Sequence, residues 1–148
     1  MKYITSLLTF LLFSSFALSQ TQLGADIDGE AAGDYLGWSV SMSSDGSRLA
    51  IGAPLNTGNG SASGHVRVYE YANSAWTQLG ADIDGEAANN SSGYSVSMSS
   101  DGSRVAIGAP GNDGNDSKSG HVRVYEYASG AWTQLGSDID GEAANNSS

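Results

Sequence analysis

Apolar and polar residues alternate along several short segments of the chain after residue 20. Trp38, Val40 and Met42 alternate with serines, and Leu49 and Ile51 repeat this spacing after an Asp-Gly dipeptide. A period of two is typical of β-strands, and Asp-Gly between two such segments favours a tight hairpin. The pattern therefore predicts four strands, over residues 38–42, 48–53, 65–71 and 76–80.

The second of these strands has one face that carries only small side chains. Ala50 and Gly52 lie on that face, opposite Leu49, Ile51 and Ala53. A neighbouring sheet can approach such a face closely, because few side-chain atoms stand in the way. We therefore expect this sheet to pack against another one.

The order of segments recurs at an interval of 56 residues. The segment Thr-Gln-Leu-Gly at residues 21–24 returns at residues 77–80 and 133–136. Residues 21–76 align with residues 77–132 without a gap, and 44 of the 56 aligned positions are identical. We interpret residues 20–76 and 77–132 as two repeat units, and residues 133–148 as the start of a truncated third unit.

Four antiparallel strands in every repeat unit are the signature of a β-propeller blade. A solenoid is the alternative, but its repeats are usually shorter. The predicted fold is therefore all-β, made of propeller blades. A closed ring takes about 4–8 blades, so we expect an incomplete propeller that either continues in a longer protein or self-associates.

The first residues of the chain resemble a secretory leader. Lys2 precedes an apolar stretch that ends in the small residues of Ala17-Leu18-Ser19. This arrangement predicts a signal peptide over residues 1–19 and a secreted or cell-surface protein. A membrane anchor is the alternative, although the stretch is shorter than the roughly 20 apolar residues that a spanning helix needs. No later segment is apolar enough to insert after cleavage.

The amino-acid composition disfavours or excludes several classes of function. The formal net charge of −10 disfavours binding to nucleic acid, because phosphate backbones would repel the chain. The chain contains no cysteine, which excludes disulfides, thiol nucleophiles and cysteine-bound zinc. We find no recurring set of nucleophile, base and orienting group, and we predict that the chain is not an enzyme.

Acidic residues gather in loops that strand order places at one end of each blade. In a meander, the loop between strands two and three lies at the same end as the connection to the next blade. The connections supply a candidate calcium set: Asp26, Asp28, Glu30, Asp34, Asp82, Asp84 and Glu86. The loops between strands two and three supply candidate ligand-face residues: Asn56, Asn59, Asn112, Asp113, Asn115 and Asp116.

The calcium assignment has a simpler alternative. The acids from Asp26 onward follow part of the EF-hand spacing, but Gly37 stands where a bidentate Glu is needed. The alternative is that these acids form solvated turns. We interpret His65 and His121 as histidines at a sheet edge, and Trp76 and Trp132 as residues that pack between blades.

An ordered set of motifs recurs in each unit. Gly-Ala-Pro occurs at residues 52–54 and 108–110, and a Gly-x-Val-x-Val-Tyr pattern follows at residues 64–69 and 120–125. This set resembles the FG-GAP repeat of integrin alpha chains and secreted bacterial proteins, although Leu36-Gly37 and Ser92-Gly93 stand where the family has Phe-Gly. The resemblance implies a β-propeller with an adhesive role outside the cell.

The calcium loop that integrin-type blades often carry between these motifs is reduced here. Each unit keeps only one of the three acids, which is Asp45 in the first unit and Asp101 in the second. One carboxylate in a tight hairpin cannot supply the six to eight oxygens that calcium takes. We therefore do not assign the family's metal site to the hairpins.

These observations favour a non-enzymatic binding or adhesion module at or outside the cell surface. Its partner would be an extracellular protein or a glycan. Two alternatives stay open: the propeller part of a larger secreted hydrolase, and a purely structural repeat array.

Overall fold

Ten short strands form two sheets in the computed structural model, which describes residues 20–144. The first sheet consists of β1 (Ser39–Met42), β2 (Arg48–Ala53), β3 (His65–Ala72), β4 (Ala75–Gln78) and β5 (Ile83–Asp84). The second consists of β6 (Ser95–Met98), β7 (Arg104–Ala109), β8 (His121–Ala128), β9 (Ala131–Gln134) and β10 (Ile139–Asp140). The predicted signal peptide, residues 1–19, lies outside the described residues.

Each sheet is an antiparallel meander. Strands β1, β2, β3 and β4 lie side by side in that order, and the second sheet repeats the arrangement. The prediction of all-β blades with four antiparallel strands is confirmed. The two described sheets do not close a ring, in agreement with an incomplete propeller.

The fourth strand of each blade is split into two pieces. Both β4 and β5 pair with the same edge of β3, and the chain between them forms a bulge that contains Gly80, whose φ is +79°. The segment expected to be an acidic loop thus contains a short strand with a buried Ile83. As a result, each sheet begins after the start of its repeat unit, and the unit boundaries at residues 76–77 and 132–133 fall inside β4 and β9.

The predicted Asp-Gly hairpins are present and are held by their aspartates. The Asp45 carboxylate accepts hydrogen bonds from Ser43 Oγ at 2.7 Å and from the Ser47 amide at 3.0 Å. The bonds from Ser47 and Ser43 lower the pKa of Asp45 to about 2. Asp101 makes the same contacts in the second blade, and its pKa is also lowered to about 2. Each aspartate therefore organises a turn.

The small face of the first blade packs directly on the second blade, as the sequence predicts. A Cβ at Gly52 would lie 2.0 Å from the Gly93 carbonyl oxygen, so only glycine fits there. The buried core between the blades consists of Ala50, Val66, Val68, Ile83, Val105, Ile107 and Tyr125. Burial of these apolar side chains is the main attraction between the blades.

Hydrogen bonds between the blades fix the position of one blade relative to the other. Ser39 Oγ donates to the Gly93 carbonyl at 2.7 Å, and the Met98 amide donates to Ser41 Oγ at 2.9 Å. Trp132 Nε1 donates to the Leu79 carbonyl at 2.8 Å and packs against the shared core, so this tryptophan lies between the blades as expected.

Each blade has an outward face that does not contact the other blade. Apolar residues are exposed on these faces, although their counterparts in the other repeat unit are covered at the interface between the blades. Val40 is 60 % exposed on the first blade, whereas its counterpart Val96 is half-buried. Ile139 is 61 % exposed on the second blade, whereas its counterpart Ile83 is 5 % exposed. Within residues 20–144, no helix is long and apolar enough to cross a bilayer.

We expect the chain to self-associate through these outward faces, because each face matches the surface of an adjoining blade. Sedimentation velocity over a range of concentrations should reveal species larger than one chain. Val40→Glu should shift the distribution toward the monomer, whereas Thr77→Glu, on an exposed strand, should leave it unchanged. A compact monomer at every concentration would contradict this expectation.

Candidate functional site

The longer loops of each blade meet at one end, which we call the loop face. It comprises the β2–β3 loop, the β7–β8 loop and the connections that lead into β1 and β6. In the first blade, Asn56 Nδ2 donates to Asp34 Oδ2 at 2.9 Å and to Glu30 Oε2 at 3.3 Å. Strand order thus brings together the acidic connection and the β2–β3 loop, as the sequence predicts.

The second blade builds the same junction with different chemistry. Asn112 Nδ2 donates to Asn90 Oδ1 at 3.2 Å and to Glu86 Oε2 at 3.3 Å. Asn112 Oδ1 also accepts from the Gly114 amide at 2.7 Å. Because Asn112 and Asn90 are both buried, these bonds fix the base of the loop.

A buried histidine lies beneath each junction, facing two carboxylates. His65 Nδ1 is 3.5 Å from Asp82 Oδ2 and 4.0 Å from Glu30 Oε2. Arg67 forms ion pairs with both acids, and its Nε lies 3.1 Å from Asp82 Oδ1. Burial raises the pKa of Asp82, but hydrogen bonds from Arg67 and Gln78 outweigh this effect and leave that pKa below its ordinary value.

The second blade repeats the histidine and the acids. His121 Nδ1 is 3.4 Å from Asp138 Oδ2 and 3.9 Å from Glu86 Oε2. Burial, together with the positive charge of Arg123, lowers the pKa of His121, so the imidazole is neutral at pH 7. Asp138 Oδ1 accepts a hydrogen bond of 2.6 Å from Gln134 Nε2.

The arginine is the point at which the two clusters differ. Arg67 lies against Asp82 in its own blade, whereas Arg123 NH2 donates to the Asp84 carbonyl of the preceding blade at 2.8 Å. Arg123 NH1 stays 3.4 Å from Glu86 Oε1. The arginine of the second cluster therefore pairs with one acid, Glu86, whereas Arg67 pairs with both Glu30 and Asp82.

The candidate calcium residues do not form one group. Asp26 is exposed and accepts a hydrogen bond from Gln22 Nε2 at 2.7 Å, and Asp28 is also exposed. Glu30 and Asp34 meet at Asn56, and Glu30 also meets Asp82 at His65. Glu86 lies apart from them, in the cluster of His121. Asp84 is exposed, and its carbonyl binds Arg123.

The remaining ligand-face residues lie at the rim of the loops. Asn59 Nδ2 donates to the Gly85 carbonyl at 2.8 Å, and Asn115 Nδ2 donates to the Gly141 carbonyl at 3.2 Å. Asp113 and Asp116 are exposed and accept hydrogen bonds from amides of their own loop. Between the second-blade loops lies a polar cleft of about 420 Å³, lined by residues that include Glu86, Asn112, Asp113, Asp138 and Asp140.

The histidines are the residues whose importance the sequence did not reveal. We interpreted His65 and His121 as sheet-edge residues, and each does begin the third strand of its blade. Their burial and their contacts with acids were not predicted. The available signal was a His-x-Arg pattern, repeated in both units, in an otherwise acidic sequence.

Comparison with known proteins agrees with the blade architecture. A family model described as FG-GAP repeat matches residues 20–69 and 81–125, which together make up more than half of the chain. The chain belongs to the FG-GAP repeat family. A search of curated proteins found no match. The FG-GAP assignment indicates a β-propeller type of module.

We expect the two junctions to respond differently to a negative charge at the buried asparagine. Asn56→Asp would place a carboxylate against Asp34, so we expect the free energy of unfolding to fall by about 1–3 kcal/mol. Asn112→Asp should cost less, because the new carboxylate would face the neutral side chain of Asn90 in place of the charged Asp34. Urea denaturation of both variants measures the difference. Equal losses would contradict the pairing at the first junction.

Proposed function

We propose that this chain is an exported, non-enzymatic binding module whose loop face contacts an extracellular protein or a glycan. The FG-GAP blades supply a rigid β-sheet framework, and binding residues on loops are commonly positioned by such frameworks. The apolar leader at residues 1–19 supports the export step of this proposal.

The observation that carries this proposal is the contrast between the base and the rim of the loop face. At the base, Asn56 and Asn112 are buried and hydrogen-bonded to the connections. At the rim, Asp113 and Asp116 are exposed, and Asp113 lines a polar cleft. A fixed base with an exposed polar rim lowers the entropy that binding would cost.

The rim has the chemistry for a ligand that donates hydrogen bonds. Its carboxylates and amide oxygens accept from the hydroxyl groups of a glycan, or from Lys and Arg side chains on a protein surface. Its negative charge would repel acidic polymers such as nucleic acid or sulfated glycans.

Binding of the purified chain to arrays of neutral glycans and extracellular proteins tests the proposal. The double variant Asp113→Asn and Asp116→Asn keeps the side-chain volume but removes two charges, and it should weaken binding by about tenfold or more. Glu126→Gln, on β8 where Glu126 pairs with Arg104, serves as the control and should leave binding unchanged.

Two results would overturn the binding proposal. One is a folded chain that binds none of the array; the other is an equal loss of binding in the loop variant and in the control. Export has a separate test, which is the mass of the chain recovered from the culture medium. A mass that begins at Gln20 supports cleavage after Ser19, and retention of the leader in the cell membrane contradicts it.

A further inference from the structure

We propose that Glu86, His121 and Asp138 form a binding site for one zinc ion beneath the loop face of the second blade. The three side chains come from the connection into β6, from the start of β8 and from the bulge before β10. Each offers one ligand atom, and these atoms lie within 4.8 Å of one another. The inference goes beyond the proposed loop-face binding and does not depend on it.

The donor set matches zinc better than calcium. Zinc takes four ligands in a tetrahedral arrangement, and imidazole nitrogen and carboxylate oxygen are both among its usual protein ligands. Three protein ligands leave the fourth position to water. Calcium takes six to eight oxygen ligands, which one imidazole and two carboxylates do not provide.

The burial of His121 and the lack of a hydrogen-bond partner at its Nδ1 are independent observations that point to a ligand. Its side chain is 1 % exposed, and its Nδ1 makes no hydrogen bond to any of the described residues. A buried polar nitrogen without a hydrogen-bond partner destabilises the folded state, because nothing compensates for the loss of its contact with water. A metal ion bound to Nδ1 would give this buried nitrogen a partner.

Neighbouring groups hold the two carboxylates in the orientation that a metal needs. Arg123 NH1 lies 3.4 Å from Glu86 Oε1, and Gln134 Nε2 donates to Asp138 Oδ1 at 2.6 Å. The other oxygen of each carboxylate faces His121 Nδ1. Asn112 Nδ2 also donates to Glu86 Oε2, which retains a second lone pair. Such outer contacts position metal ligands in known sites.

The first blade contains the same three residue types, but its arginine already supplies a positive charge. Arg67 Nε and NH2 lie 3.2 Å and 3.1 Å from Asp82 Oδ2, and Arg67 also pairs with Glu30. In the second blade, Arg123 NH1 lies 3.4 Å from Glu86 Oε1 and its NH2 donates to the Asp84 carbonyl of the preceding blade, so within residues 20–144 this arginine forms no ion pair with Asp138. We therefore assign zinc to the second cluster only.

Isothermal titration of zinc chloride into the metal-free, untagged chain tests this assignment. We expect one zinc ion per chain. His121→Ala should weaken zinc binding by about tenfold or more, whereas His65→Ala, the same substitution in the other blade, should leave it unchanged. Calcium chloride at the same concentration should not compete.

Because His121 is buried, its replacement could weaken zinc binding by disturbing the fold. A second pair of variants separates this effect from the loss of a ligand. Asp138→Asn changes a half-exposed ligand and should also weaken zinc binding, whereas Asp82→Asn should not. Circular dichroism establishes that each variant keeps its β-structure. The assignment is overturned if the folded chain binds no zinc, if His65→Ala and His121→Ala lose zinc equally, or if calcium displaces it.

Discussion

The close approach of one blade to the next is the contact on which the rest of the structure depends. Gly52 leaves room for the Gly93 carbonyl, and the serine hydroxyls of β1 then reach the second blade. This contact buries the apolar faces that a four-stranded sheet cannot cover by itself. It also sets Arg123 against Asp84, so the geometry of the second histidine cluster depends on the packing of the blades.

Much of the fold can be predicted from the sequence because its local signals agree. The period of two gives the strands, Asp45-Gly46 and Asp101-Gly102 give the hairpins, and the interval of 56 residues gives the blades. The split fourth strand was not predictable in this way. Ile83 is a single apolar residue between two aspartates, and its burial follows from pairing with Val66 across the sheet, which no local pattern specifies.

The candidate site could be predicted only in part, for a related physical reason. Strand order alone places Asn56 beside the acidic connection, because alternate loops of a meander share one end. The burial of His65 and His121, by contrast, results from side chains that are distant in sequence. The two arginines also make different contacts, although the two units are nearly identical in sequence. Arg123 contacts the preceding blade at Asp84, whereas within the described residues no blade precedes the one that contains Arg67.

The most direct test of the blade contact compares Gly52→Ala with Gly108→Ala at a concentration where the chain is monomeric. The new methyl at residue 52 would meet the Gly93 backbone of the next blade, whereas at residue 108 the nearest atom is the Ser95 hydroxyl of its own blade, which can rotate. Urea denaturation should show a loss of about 1–3 kcal/mol for Gly52→Ala and a smaller loss for Gly108→Ala. Equal losses of stability in the two variants would contradict the conclusion that the close approach of the blades at Gly52 holds the structure together.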